Sequence, residues 1–138
     1  MTQQTPAKPL PGIDEENRPF WEYCKKHELR VQKCGNCGTL RYPITSICPN
    51  CMSMDFDWAK MSGKAKVFSF AIIRRASHPA FAGEIPYTVA IIELEEGPRM
   101  ESNVIGIDPD KVRVDMPVEL VFDDMSDEIS LPKFKPAG

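Results

Sequence analysis

Two kinds of hydrophobic pattern divide this chain. From Phe56 onward, short apolar runs rich in β-branched and aromatic residues alternate with turns bearing glycine and proline, the pattern of strands. Phe56 and Trp58 open this region and Gly63 interrupts it. Ala65–Arg75 (AKVFSFAIIRR) reads as a long strand, Tyr87–Leu94 (YTVAIIEL) as the next, Arg99–Ile105 as a third and Val118–Phe122 as a fourth. Ser126–Leu131 is the expected fifth, leaving Pro132–Gly138 as a tail. The connections are a long loop over His78–Pro86, a turn at Glu95-Glu96-Gly97-Pro98, and a turn at Asp108-Pro109-Asp110 leading into Val112–Val114. Short strands with glycine at the bends predict a small closed barrel over 55–138, with the OB-fold as the commonest five-stranded case.

Before Phe56 the period changes. Residues 1–13 carry three prolines and no periodic apolar pattern, so a flexible or extended arm is expected there, one able to dock on a partner. Residues 14–28 read as a helix. Asp14 is its candidate cap, Glu15 and Glu16 fall in its first turn, and Lys25, Lys26 and His27 suit the dipole at its end. Pro19 marks an alternative start, because proline fits a first turn and not an interior. Phe20, Trp21 and Cys24 form the apolar stripe. Residues 29–54 carry a short alternating strand (Leu29, Val31, Lys33) and a second one at Thr39–Tyr42, closed by Pro43.

That second region holds the most specific chemistry. Cys34-Gly35-Asn36-Cys37 and Cys48-Pro49-Asn50-Cys51 are two Cys-x-x-Cys knuckles, each offering two sulfurs from one turn. Four thiolates match a structural zinc ion. A disulfide pair, free thiols and a rubredoxin-like iron centre are the rival readings. So small a module buries little surface, so the metal supplies much of its stability. The fifth cysteine, Cys24, reads as a small apolar residue of the helix.

Composition narrows the function. The 138 residues are 42% hydrophobic and 27% charged, with a net charge of −3 and a pI of about 5.4. This acidic balance weighs against a nucleic-acid backbone as main partner. There is no apolar run of transmembrane length, and residues 1–12 are too polar for a signal peptide. No membrane association and a cytoplasmic location are therefore expected. Charge is uneven along the barrel: residues 60–75 hold Lys60, Lys64, Lys66, Arg74 and Arg75 and no acid. Residues 93–128 hold twelve acids and three bases. One reading is an ordinary solvated face; the other is an edge that attracts phosphate.

The order of motifs resembles a known family. It runs Phe20-Trp21-Glu22, Leu29-x-Val31-Gln32-x-Cys34, the two knuckles around Leu40-Arg41-Tyr42-Pro43, Ser62-Gly63-Lys64-Ala65-Lys66-Val67, and His78-Pro79-Ala80-Phe81. Pro86-Tyr87, Glu96-Gly97-Pro98-Arg99, Met116-Pro117-Val118 and Leu131-Pro132-Lys133-Phe134-Lys135-Pro136 complete it. This is similar to the small acyl-CoA-associated proteins with an N-terminal rubredoxin-like zinc ribbon and a C-terminal OB-fold. Lys64 and Ala65 stand where many members have glycine. The resemblance implies a partner subunit of thiolase-like enzymes, of steroid side-chain aldolases built on a thiolase fold, or of hydratases, helping to enclose a coenzyme A thioester.

Catalysis by the chain alone is not expected. Four of its five cysteines are assigned to metal, its histidines are His27 and His78, and a closed four-cysteine zinc has no open position. His27 reads as a solvated helix-end residue. His78, Phe81 and Tyr87 are the candidate partner or substrate loop, and Lys60, Lys64, Arg74 and Arg75 the candidate coenzyme A phosphate partners. For His78 the plain reading is a surface-loop residue. The alternative functions are a single-stranded nucleic-acid-binding protein, with Phe68, Phe70 and Tyr87 stacking bases, and a rubredoxin-like electron carrier.

Overall fold

A computed structural model describes residues 8–137. Most of the expected arm, residues 1–7, lies outside the described residues. Lys8 is docked: its Nζ is 2.6 Å from Glu84 Oε1 and 5.8 Å from the centre of the Phe81 ring.

The helix is shorter than the pattern predicts. α1 spans Arg18–Lys25, with Pro19 in its first turn. Asp14 does not cap it; Asp14 and Asn17 instead exchange bonds, each backbone N–H donating to the other's side-chain oxygen at 2.8 Å. The chain leaves the helix at His27, whose φ is 60°. Phe20 and Cys24, four residues apart, are its buried side chains, as one helical face requires.

β1 (Arg30–Cys34) pairs antiparallel with both β2 (Leu40–Arg41) and β3 (Phe56–Lys60), giving the order β2-β1-β3. Phe56 and Trp58 therefore open no barrel strand; they lie opposite Cys34 and Gln32 in the ribbon's own sheet. An alternating run shows that a strand exists but not which strand it joins. Here the chain leaves the second knuckle already beside β1, and the shortest path is to pair with it.

The barrel follows as expected. β4 (Lys64–Ile73), β5 (Tyr87–Leu94), β6 (Arg99–Val104), β7 (Pro117–Asp124) and β8 (Ser130–Pro136) close in the order β4-β5-β6-β8-β7. The fifth strand is not Ser126–Leu131 but the stretch read as a tail, paired to β7 from Asp124↔Ser130 to Val118↔Pro136. Its prolines do not break it because of parity. Pro132 and Phe134 turn their carbonyls toward β6, where they accept from Ser102 Oγ and Ile105 N at 2.8 Å. Pro132 and Pro136 share that side, so their missing N–H groups are absent from the edge away from β7.

Helix, ribbon base and barrel share one core. Phe20, Cys24, Leu29 and Val31 pack with Val67, Ile92, Leu94, Met100, Val104, Val118 and Phe134.

Candidate metal centre and barrel cleft

The two knuckles repeat one backbone pattern. In the first, Cys34 N donates to Thr39 O at 2.9 Å and Gly38 N to Cys34 O at 3.0 Å. In the second, Cys48 N donates to Ser53 O at 2.9 Å and Met52 N to Cys48 O at 2.8 Å. The fourth residue after each leading cysteine has a positive φ, 76° at Gly38 and 66° at Met52. Each turn thus aims two sulfurs at a common centre.

All four sulfurs lie within 4.8 Å of one another. Cys34 Sγ is 3.5 Å from Cys51 Sγ, and Cys37 Sγ is 3.6 Å from Cys48 Sγ. A tetrahedron of sulfurs each about 2.3 Å from zinc has edges of about 3.8 Å, so the donor set fits zinc. Its surroundings favour thiolates at the first knuckle, whereas Cys51 in the second is raised above its ordinary value. The amides of Cys37 and Asn36 donate to Cys34 Sγ and lower that thiol below its ordinary value. Hydrogen bonds from the Thr39 hydroxyl and the Asn50 amide draw Cys37 down to about 5. Such donors to sulfur orient the ligands of a metal site. The zinc ribbon is thus a domain with four cysteines positioned to bind zinc. Cys24 stands apart: burial pushes its thiol up to about 12, so it is an inert core residue.

A second feature lies at one end of the barrel. Phe81, Tyr87, Thr88, Asn103, Ile107 and Lys133 are among the residues lining a cleft of about 470 Å³. The loop before β5 builds its rim. His78 Nδ1 accepts from Ala80 N at 3.0 Å and starts a 3₁₀ turn over Pro79–Phe81. That turn carries Phe81 to 6.1 Å from Tyr87, centre to centre. Phe81 and Tyr87 thus enter the cleft, whereas His78 is spent on shaping the turn.

The basic residues are not brought together. Lys60 ends β3 and Lys64 begins β4. Arg74 and Arg75 follow the far end of that ten-residue strand, roughly 30 Å away at 3.3 Å per residue. The phosphates of one coenzyme cannot be held by both pairs. Arg74 is also engaged, 2.9 Å from Asp110.

Three polar residues of the cleft were not singled out from sequence. Thr88 is 1% exposed and its hydroxyl has no partner among the described residues. Asn103 Nδ2 donates to Thr88 O at 2.9 Å. Lys133 Nζ pairs with Asp123 at 2.7 Å. Thr88 did leave a signal: it shares the inward parity of Ala90, Ile92 and Leu94 in β5. Asn103 and Lys133 come from strands distant in sequence and left none.

Residues 21–57 match the ChsH2 rubredoxin-like zinc ribbon domain, and residues 58–123 match the ChsH2 C-terminal OB-fold domain. A DUF35 domain-containing scaffold protein of Methanocaldococcus jannaschii is 38% identical over 104 residues, spanning 74% of this chain and 73% of that protein. The chain belongs to the ChsH2/DUF35 family. Among its relatives, the probable enoyl-CoA hydratase alpha subunit of Thermomonospora curvata is 41% identical over 139 residues and 99% of this chain. This chain spans 43% of that protein's length, so the ribbon and barrel are the part the two share. The benzoylsuccinyl-CoA thiolase subunit BbsA of Thauera aromatica is 30% identical over 103 residues, spanning 72% of this chain and 66% of that protein. Among solved structures, a chain of the Ltp2-ChsH2(DUF35) aldolase superposes with a TM-score of 0.85 at 40% identity, covering 94% of this chain and all of that one. The acyl-CoA setting expected from the motif order recurs in the names of these relatives.

Proposed function

We propose that this chain is the non-catalytic subunit of an acyl-CoA-processing complex, with a thiolase-type enzyme as its partner. The carrying observation is the cleft. It is an apolar recess rimmed by Phe81 and Tyr87 and floored by a few polar groups, and it opens on the loop that leads from Arg74 and Arg75. The barrel encloses the acyl or pantetheine portion of a thioester whose reacting carbonyl lies at the partner's catalytic residues. Its contribution is orientation, which converts a loosely held substrate into a near-attack one. Arg75, with Arg74 where Asp110 releases it, is the pair assigned to the coenzyme's phosphates; Lys60 and Lys64 are too distant to join them.

The chain's own groups fit an accessory role. Its four clustered sulfurs form a closed donor set, and Cys24 is buried and protonated. The serine–carboxylate–histidine chain found among the described residues runs in the wrong order for a nucleophile. Ser130 Oγ donates to Asp124 at 2.6 Å and His27 Nε2 meets the same oxygen at 2.8 Å. The hydroxyl therefore faces the acid and not a base.

The test is co-expression with a thiolase-type enzyme from the same genome. A stable hetero-oligomer is expected, with thioester turnover that needs both chains. Phe81→Ala with Tyr87→Ala should lower turnover about tenfold or more while the complex still forms. A stable monomer that neither binds nor enhances such an enzyme would overturn the reading. A hydratase is the second reading of the partner, favoured by the 41% identity to the hydratase alpha subunit; the same experiment with a hydratase-type partner separates the two.

A further inference from the structure

The ribbon buries a full positive charge beside no carboxylate. Arg41 is 5% exposed, and it joins none of the ion pairs among the described residues. Its Nε donates to Gln32 Oε1 at 3.2 Å and its Nη2 to the Thr45 carbonyl at 3.3 Å. Both acceptors are neutral. The guanidinium lies 5.1 Å over the Phe56 ring, and Nη1 has no partner among the described residues. Gln32, 1% exposed, is in the same condition: its oxygen also accepts from Thr45 N at 2.9 Å, and its buried Nε2 has no acceptor. An unpaired buried cation is strongly unfavourable unless an opposite charge is near.

The sheet register says where that charge lies. Gln32 is opposite Arg41, and Cys34 is opposite Phe56. Positions two apart share a face, so Gln32, Cys34, Arg41 and Phe56 all present the same one. Cys34 is the diagonal neighbour of Arg41, roughly 7–8 Å away between backbones, and the guanidinium leans on the aromatic ring directly across from it. Four thiolates around a dipositive zinc carry a net charge of 2−, and the cysteine cluster places that charge on Arg41's own face of the sheet.

We infer that Arg41 is the buried counter-charge of the metal-loaded cysteine cluster. Gln32 fixes the guanidinium in place by accepting from Nε and from the Thr45 amide together. The attraction acts through space, past Phe56, since neither orphaned nitrogen bonds a sulfur. Arg41 therefore couples metal loading to the fold of β2. With metal bound, its charge is compensated. Without metal, the compensating charge is smaller.

Arg41→Met keeps the stem and the contact with Phe56 but removes the charge; Arg41→Lys keeps the charge but loses the fork. Cobalt(II) titration of the full-length chain, read by the thiolate charge-transfer bands and followed by zinc competition, measures affinity. Because binding and folding are coupled at such sites, the titration also reads a variant that is unfolded without metal. Arg41→Met should lose affinity by about 10-fold to 100-fold, the range for partners just outside the ligands, and Arg41→Lys should recover part of it. Where the chelated chains still show a melting transition, Arg41→Met should melt no lower than wild type, because it removes a poorly compensated charge. Unchanged metal affinity in Arg41→Met would overturn the inference. So would an Arg41→Lys no better than Arg41→Met, or a chelated Arg41→Met that melts well below chelated wild type.

Discussion

The ribbon and the barrel are held together by different means. Between residues 34 and 55 the buried side chains are Cys34, Arg41 and Cys48, while Ile47, Met52 and Met54 are exposed at 45%, 77% and 69%. That segment has no apolar core of its own: Leu40, Tyr42 and Ile44 lean on the core it shares with the barrel, and around the knuckles the four sulfurs take a core's place. The barrel has the reverse composition. Val67, Ile92, Val118 and Phe134 are at most 1% exposed, and each barrel strand pairs with two neighbours. A metal site concentrates stability in four atoms, whereas a hydrophobic core spreads it over many. Perturbations should therefore separate the two regions.

The largest effect is expected from the metal. Chelation, or Cys48→Ser, should abolish amide protection throughout residues 34–55, read by hydrogen exchange with mass spectrometry. The amides of β4–β8 should stay protected, because Leu29 and Val31 at the ribbon's base belong to the barrel's core. If the barrel exchanges as fast as the ribbon, the two are one cooperative unit and the contrast fails. The complementary change is Phe134→Ala, which empties a fully buried site and should cost about 3–5 kcal/mol by urea unfolding. Zinc affinity should change little. A parallel fall in affinity would again join the regions.

A smaller effect is expected at the seam between them. His27 leaves α1, stacks on Phe122 at 4.9 Å and meets Asp124 at 2.8 Å. The Ser130 hydroxyl first, and then His27, hold the Asp124 carboxyl below its usual value. A depressed folded-state value means that the contribution is present above the ordinary aspartate range and is lost as pH falls through the depressed value. The urea midpoint of wild type should thus fall more steeply below about pH 4 than that of Asp124→Asn. Equal slopes would show that the seam is held by packing alone.

How much of this was legible beforehand follows the same division. The cysteine cluster was readable because metal ligation fixes both residue type and local spacing. The barrel was readable because runs rich in β-branched and aromatic residues, bounded by turns, mark β4 to β7. What the chain did not disclose was pairing. β3 and β8 alternate like any strand, and only the neighbour they meet decides that one belongs to the ribbon and the other closes the barrel. Proline misled at Pro132 and Pro136, where side of the strand matters more than residue type. The four basic residues looked like a group because Lys60 and Arg75 are near in sequence, but an extended strand carries its two ends far apart. Phe81 and Tyr87 were found from their loop; Thr88 was visible only as a polar residue at an inward position.

The finest version of the contrast lies inside the ribbon, between its two knuckles. They make the same pair of backbone hydrogen bonds, yet one places Gly38 and the other Met52 in the left-handed region. Space does not explain the glycine, since a side chain at Gly38 would meet nothing within 4 Å. The backbone angle does, because a left-handed residue with a Cβ carries a penalty of about 1–2 kcal/mol. Gly38→Ala should therefore destabilise the metal-loaded chain by about 1 kcal/mol. Met52→Gly removes the same penalty, but it also frees the unfolded chain, which offsets about 0.5–1 kcal/mol. A net gain of a few tenths of a kcal/mol is expected, read as a small rise in the zinc-loaded melting temperature. The sign matters more than the size. Met52 is the most exposed large apolar side chain of the described residues, so it contributes little packing to set against the strain. If Met52→Gly lowers the melting temperature, its side chain is holding the second knuckle through contacts that the first does without, and the two turns are alike in geometry but not in energy.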